Sequence, residues 1–161
     1  MKLIRASAKR FCFHLGRREM SLLRRVLALY PRIPSAYQRL TKSAAVPDGE
    51  TSQRLLDEAL AEQRAENKQR LSALLEDSKR LVEDSAGWRL ALSPGDFEWL
   101  LQVLNDVRIG SWVVLGSPEE RVPEVTEETA PDIWAMEMAG AFQMGFLEEV
   151  EGLGDKEQGA R

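Results

Sequence analysis

Residues 94–115 constrain the fold more than any other stretch of the chain. Phe97, Trp99, Leu100, Leu101, Val103, Leu104, Val107, Ile109, Trp112, Val113 and Val114 cover most of a helical wheel. Glu98, Gln102, Asn105 and Asp106 leave one narrow polar stripe. A helix apolar on nearly every side must lie inside a globule with other elements around it. Ser93 stands where an N-cap belongs, and Pro94 suits the first helical position. Gly110 reads as a soft point near the far end.

Two short strands are expected from period-two alternation. Phe11, Phe13 and Leu15 alternate with Cys12 and His14, and Trp88, Leu90 and Leu92 alternate with Arg89 and Ala91. Each is followed by a helical pattern. At an offset of 77 residues the two units share Leu15/Leu92, Leu23/Leu100, Val26/Val103 and Leu27/Leu104, with Glu19 opposite Asp96. The overlay predicts a common strand-turn-helix geometry, the strands pairing antiparallel with helices on one side.

The first helix puts Met20, Leu22, Leu23, Val26, Leu27, Leu29 and Tyr30 on one half of its wheel and Arg17, Arg18, Arg24 and Arg25 on the other. Pro31 and Pro34 close it, and residues 41–50 read as a loop. A long helix is expected over residues 51–83, with Leu56, Leu60, Leu71, Leu74, Leu75, Leu81 and Val82 in its apolar stripe. Its polar middle, residues 62–70, must be solvated or the helix breaks there. An acidic loop over residues 116–131 leads to a last helix over residues 130–150, rich in small residues such as Ala139, Gly140, Ala141 and Gly145. The fold class that follows is mainly α (α+β), a bundle of about four helices with two short paired strands. Residues 1–150 form a single domain and residues 151–161 a flexible tail.

Charge is divided unevenly. Residues 1–42 hold eleven bases and one acid, a net of +10, whereas the remaining residues hold eleven bases and 25 acids, a net of −14. The outer face of the first helix then has two readings. It neutralises the acidic remainder internally, or it presents a basic patch to an acidic partner or to nucleic acid. No aromatic is interleaved with the arginines, and the net charge of −4 repels phosphate, which disfavours nucleic acid.

Chemical motifs are sparse. There is no nucleophile motif, phosphate loop or zinc pattern. Cys12 and His14 supply only two metal ligands and read as neighbours on one face of a strand. No metal or cofactor is expected. A single cysteine excludes an internal disulfide and suits a reducing cytoplasm. No apolar run reaches the roughly 18 residues of a spanning helix, and no signal-peptide core follows residues 1–10. The one polar site candidate is Gln102, Asn105, Asp106 and Arg108. Arg108 is expected to point toward the apolar side, between Leu101 and Trp112. It needs a carboxylate or carbonyl partner there, with Asp106 a candidate, and would fix packing register or line a small anion pocket.

Residues 90–108, LALSPGDFEWLLQVLNDVR, resemble a bacterial, actinobacterial-type family of unknown function. That family carries a Leu-Asn-Asp-x-Arg segment on its core helix, matched here by Leu104, Asn105, Asp106 and Arg108, and a final Trp- and Gln-bearing helix, matched by Trp134 and Gln143. Its genes often neighbour that of a Clp-protease adaptor. The resemblance implies an accessory role near protein turnover. The expectation is therefore a non-enzymatic cytoplasmic interaction protein with a protein partner, capable of forming a homodimer. Nucleic-acid or anion binding through the Arg-rich first helix is the alternative, and no membrane partner is expected.

Overall fold

Two β-hairpins supply the sheet. The computed structural model describes residues 1–34, 49–119 and 123–158, with side chains through residue 152. The first hairpin is β1 (Lys2–Ser7) and β2 (Arg10–Gly16), followed by α1 (Arg17–Leu27) and α2 (Gly49–Glu76). The second is β3 (Leu81–Glu83) and β4 (Gly87–Leu92), followed by α3 (Pro94–Val114) and α4 (Ala130–Gln158). Among the described residues the architecture is thus mixed, with four helices and a four-stranded antiparallel sheet of order β1-β2-β4-β3.

Both expected strands are present and pair antiparallel, with Phe13 opposite Leu90 and Leu15 opposite Trp88. The expected total of two strands is corrected to four. β1 was hidden because it is an edge strand with one buried side chain, Leu3, among charged residues. β3 was hidden inside the apolar stripe of the long helix. That helix ends at Glu76, not at residue 83. The Asp77 carboxylate accepts the Lys79 backbone N–H and the Arg80 Nε–H, both at 2.8 Å, and so builds a turn. Leu81 leaves the turn as a strand residue opposite Leu90.

The polar middle of α2 stays helical. It docks through polar contacts instead of an apolar face. Asn67 joins the Trp99 indole N–H (2.8 Å) to the Tyr30 hydroxyl (2.9 Å), and the Arg70 guanidinium lies 4.2 Å from the Trp99 ring centroid. Only Leu71 and Leu74 of α2 are buried.

Alternation puts Phe13 and Leu15 in the core, while Cys12 and His14 on the opposite sheet face are half-buried. α3 lies against this core face and against α1 and α4, as its wheel demands. Leu100, Val103, Leu104 and Val107 are all within 1% of full burial. Ser93 caps α3 by accepting the Asp96 N–H, with Pro94 in its first turn. α4 buries Ala135, Ala139, Phe142 and Phe146, and continues as helix to Gln158, past residue 150 and into the stretch read as a tail.

Gly110 is a contact point and not a soft one. A Cβ there would stand 2.4 Å from the Arg32 carbonyl carbon, so the chain beyond Pro31 runs directly over α3. The loop over residues 41–50 expected from sequence lies largely outside the described residues.

Candidate functional site

The outer face of α1 is built by the helix wheel itself. With Met20, Leu23, Val26 and Leu27 buried, the residues between them must face outward. Arg17, Arg18 and Arg25 are exposed and Arg24 is half-buried. Internal neutralisation is slight. Arg17 Nε stands 3.9 Å from Glu83, and among the described residues Arg18, Arg24 and Arg25 form no ion pair.

Two tryptophans complete this face. The Arg24 guanidinium lies 5.1 Å from the centroid of Trp88, and that of Arg25 lies 4.7 Å from Trp134. These are cation–π distances. The indoles come from β4 and α4, so linear sequence gave no sign of them beside α1. A guanidinium held over an indole ring keeps N–H groups with which to meet an acceptor.

The N-terminus of α1 carries its own acid. Glu19 accepts the Gly16 N–H at 2.7 Å and pairs with the Met1 amino group. Burial works against its ionisation, but the ammonium group, the Gly16 N–H and His14 outweigh it and hold its pKa below the ordinary value of 4.5.

The polar stripe of α3 divides in two. Gln102, Asn105 and Asp106 line a cleft of about 180 Å³ together with Tyr30, Ile33, Leu60, Gln63, Arg64, Asn67 and Val103. Arg108 is not among its walls. It turns toward α4, where its Nε donates to Gln143 Oε1 at 3.2 Å and its Nη2 to Asn105 Oδ1 at 2.9 Å. Of the carboxylate or carbonyl partners expected, these are the carbonyl oxygens of two side-chain amides, and Asp106 is not among them. Asp106 is engaged elsewhere, accepting the backbone N–H groups of Arg32 (2.7 Å) and Ile33 (3.4 Å). Gln143 donates to the Leu101 carbonyl at 3.0 Å, so Arg108 and Gln143 together fasten α4 to α3.

The cleft's polar groups hold the fold. Arg64 donates to the Ile33 carbonyl at 2.9 Å. Burial raises the Tyr30 pKa above its ordinary value and the Asp106 charge adds to this, while Asn67 and Arg64 oppose it. Tyr30 is thus a neutral hydroxyl at pH 7 that accepts from Asn67.

His14 Nε2 lies 3.7 Å from Asp84, and Arg89 Nε lies 3.6 Å from the other oxygen of the same carboxylate. Among the described residues no cluster of three or more His, Cys, Asp or Glu could hold a metal ion. No described helix is long and apolar enough to cross a membrane. Fold and surface define a (ββαα)₂ domain with an arginine-tryptophan face on its first helix. Comparison with protein-family models, curated proteins and solved structures finds no match for the chain.

Proposed function

We propose that this chain is a non-enzymatic cytoplasmic interaction protein that binds an acidic helical segment of a protein through the outer face of α1. The observation that carries the reading is the state of its arginines. Arg18 and Arg25 are exposed and unpaired among the described residues, and Arg25 is pre-positioned on Trp134. Leu22, half-buried between them on the same face, adds an apolar contact. Carboxylates on one face of a partner helix would meet guanidinium edges whose entropy cost is partly met before binding. The resemblance of residues 90–108 to a family encoded near a Clp-protease adaptor supports an accessory role beside regulated proteolysis.

A protein partner is favoured over nucleic acid by the covered indoles. Bases stack on open aromatic faces, and here arginines occupy those of Trp88 and Trp134. The test is fluorescence anisotropy at high dilution with an acidic amphipathic peptide and a single-stranded RNA of equal length. The peptide should bind, weaken as salt rises and be lost when Arg17, Arg18, Arg24 and Arg25 are all changed to Glu. Equal peptide binding by that variant, or RNA binding that outcompetes the peptide at high salt, would overturn the proposal.

A further inference from the structure

We infer that the acidic helix recognised by α1 is α4 of a second copy of this chain, joined across a two-fold axis that runs along the α1/α4 groove. The inference rests on the reading of α1 as the working surface, and it names the partner.

The groove has a volume of about 320 Å³, and Leu22, Met138, Ala141 and Phe142 form its apolar floor. Met144, on the exposed side of α4 next to Ala141 and Glu148, is 59% exposed. Within the groove Glu19 is paired with the Met1 amino group, and the two banks, the exposed outer rows of the helices, carry opposite charge. On α1, Arg18, Leu22 and Arg25 recur at i, i+4 and i+7, which reads basic, apolar, basic. On α4, Glu137, Ala141, Met144 and Glu148 recur at i, i+4, i+7 and i+11, all exposed, which reads acidic, apolar, apolar, acidic. Among the described residues none of these four end charges has an ion pair.

A purely basic ligand would be repelled by the α1 bank, and a purely acidic one can engage α1 but leaves the acidic α4 bank unmatched. A partner that satisfies both must carry both charges in the same arrangement, and a second copy does. α1 and α4 run antiparallel, because Glu19 shares the groove with Glu148 while Arg25 lies at the other end over Trp134. A two-fold axis along the groove lays each α1 over the α4 of the other copy, at matching height. Arg25 then approaches Glu137 of the second copy, and Arg18 approaches its Glu148. The charged residues span roughly 10 Å on α1 and roughly 16 Å on α4, a difference that two arginine side chains can bridge. Ala141 at the centre lets the helices come close. The contact is isologous, so it closes as a dimer and does not propagate.

Sedimentation equilibrium over a range of concentrations tests this with the whole chain. The wild type should be a dimer that dissociates on dilution and with added salt. Arg18→Glu/Arg25→Glu and Glu137→Lys/Glu148→Lys should each weaken self-association by at least about a hundredfold, since each sets like charges against each other. An equimolar mixture of these two variants should restore a dimer, because each reversed bank then meets its complement. All four positions are exposed, and circular dichroism would register any loss of fold. A wild type that stays monomeric at every concentration, or a mixture that stays as monomeric as its components, overturns the inference. If the chain is monomeric and yet binds the acidic peptide through α1, only the choice of partner fails. If it does neither, the reading of α1 fails too.

Discussion

Gly110 and Gly95 sit on one helix and should respond oppositely to the same change. A methyl on Gly110 would enter the backbone of Arg32 and Ile33, whereas nothing lies within 4 Å of a methyl on Gly95. Gly110→Ala should cost about 3 kcal/mol, because backbone and not a flexible side chain must give way. Gly95→Ala should gain about 0.5 kcal/mol from reduced unfolded-state entropy. Urea unfolding of the two variants checks the pair. Equal effects would mean that the segment after Pro31 does not lie on α3. Arg108 allows a second comparison. Arg108→Met should cost about 1–2 kcal/mol, chiefly from the amide oxygens of Asn105 and Gln143 left without a donor. Unchanged urea stability would remove its role as a fastener. At this scale the sequence identified Asn105, Asp106 and Arg108 as unusual polar residues on an apolar helix. Apart from the local Arg108–Asn105 bond, it could not assign partners, because those come from residues 32, 33 and 143 and depend on the crossing of elements far apart in the chain.

Among elements, the overlay of Leu15, Leu23, Val26 and Leu27 on Leu92, Leu100, Val103 and Leu104 has a physical counterpart. All eight side chains are at most 3% exposed. Glu19 and Asp96 also correspond, each three residues past its N-cap. Glu19 accepts the Gly16 N–H, and Asp96 accepts the Ser93 hydroxyl while its own N–H goes to Ser93 Oγ. Legibility followed burial. β2 and β4 are central strands with strong alternation, and they were readable. β1 exposes most of its side chains and β3 is three residues long, so neither carries a periodic signal. Burial opposes ionisation of Asp96, but Arg70 at 2.6 Å, Ser93 and Arg80 prevail and hold its pKa below the ordinary 3.8. A depressed carboxylate stabilises the fold above its unfolded pKa and stops doing so as pH falls through the folded one. The melting temperature should therefore drop as pH falls below about 4. Asp96→Asn should melt lower at pH 7 and show a shallower acid decline. An acid decline as steep as that of the wild type would exclude Asp96 from it.

In the whole molecule, the division of charge follows the fold only in part. The basic N-terminal segment meets the acidic remainder through Arg32, which pairs with Asp132, but the α1 face is hardly neutralised. Arg17 makes one long contact to Glu83, and the other three arginines of the α1 face either lie over indole rings or are open to solvent. The central position of α3 was legible because a helix apolar on nearly every side must pack against several elements at once, although its last turn emerges, with Val114 54% exposed. The α1 face was legible only as a row of charges. Its tryptophans arrive from β4 and α4 through tertiary packing, which no linear pattern encodes. If this face is where the molecule meets its partner, its indoles must sense the occupant. Trp99 donates its indole N–H to Asn67 and Trp112 donates its own to Pro118, both away from α1. A ¹⁵N-resolved NMR titration with the acidic peptide reports all four indole N–H groups at once. The account requires the Trp88 and Trp134 signals to shift in step with binding while those of Trp99 and Trp112 stay in place. Shifts confined to Trp99 and Trp112, or no indole shift at saturating peptide, would contradict it.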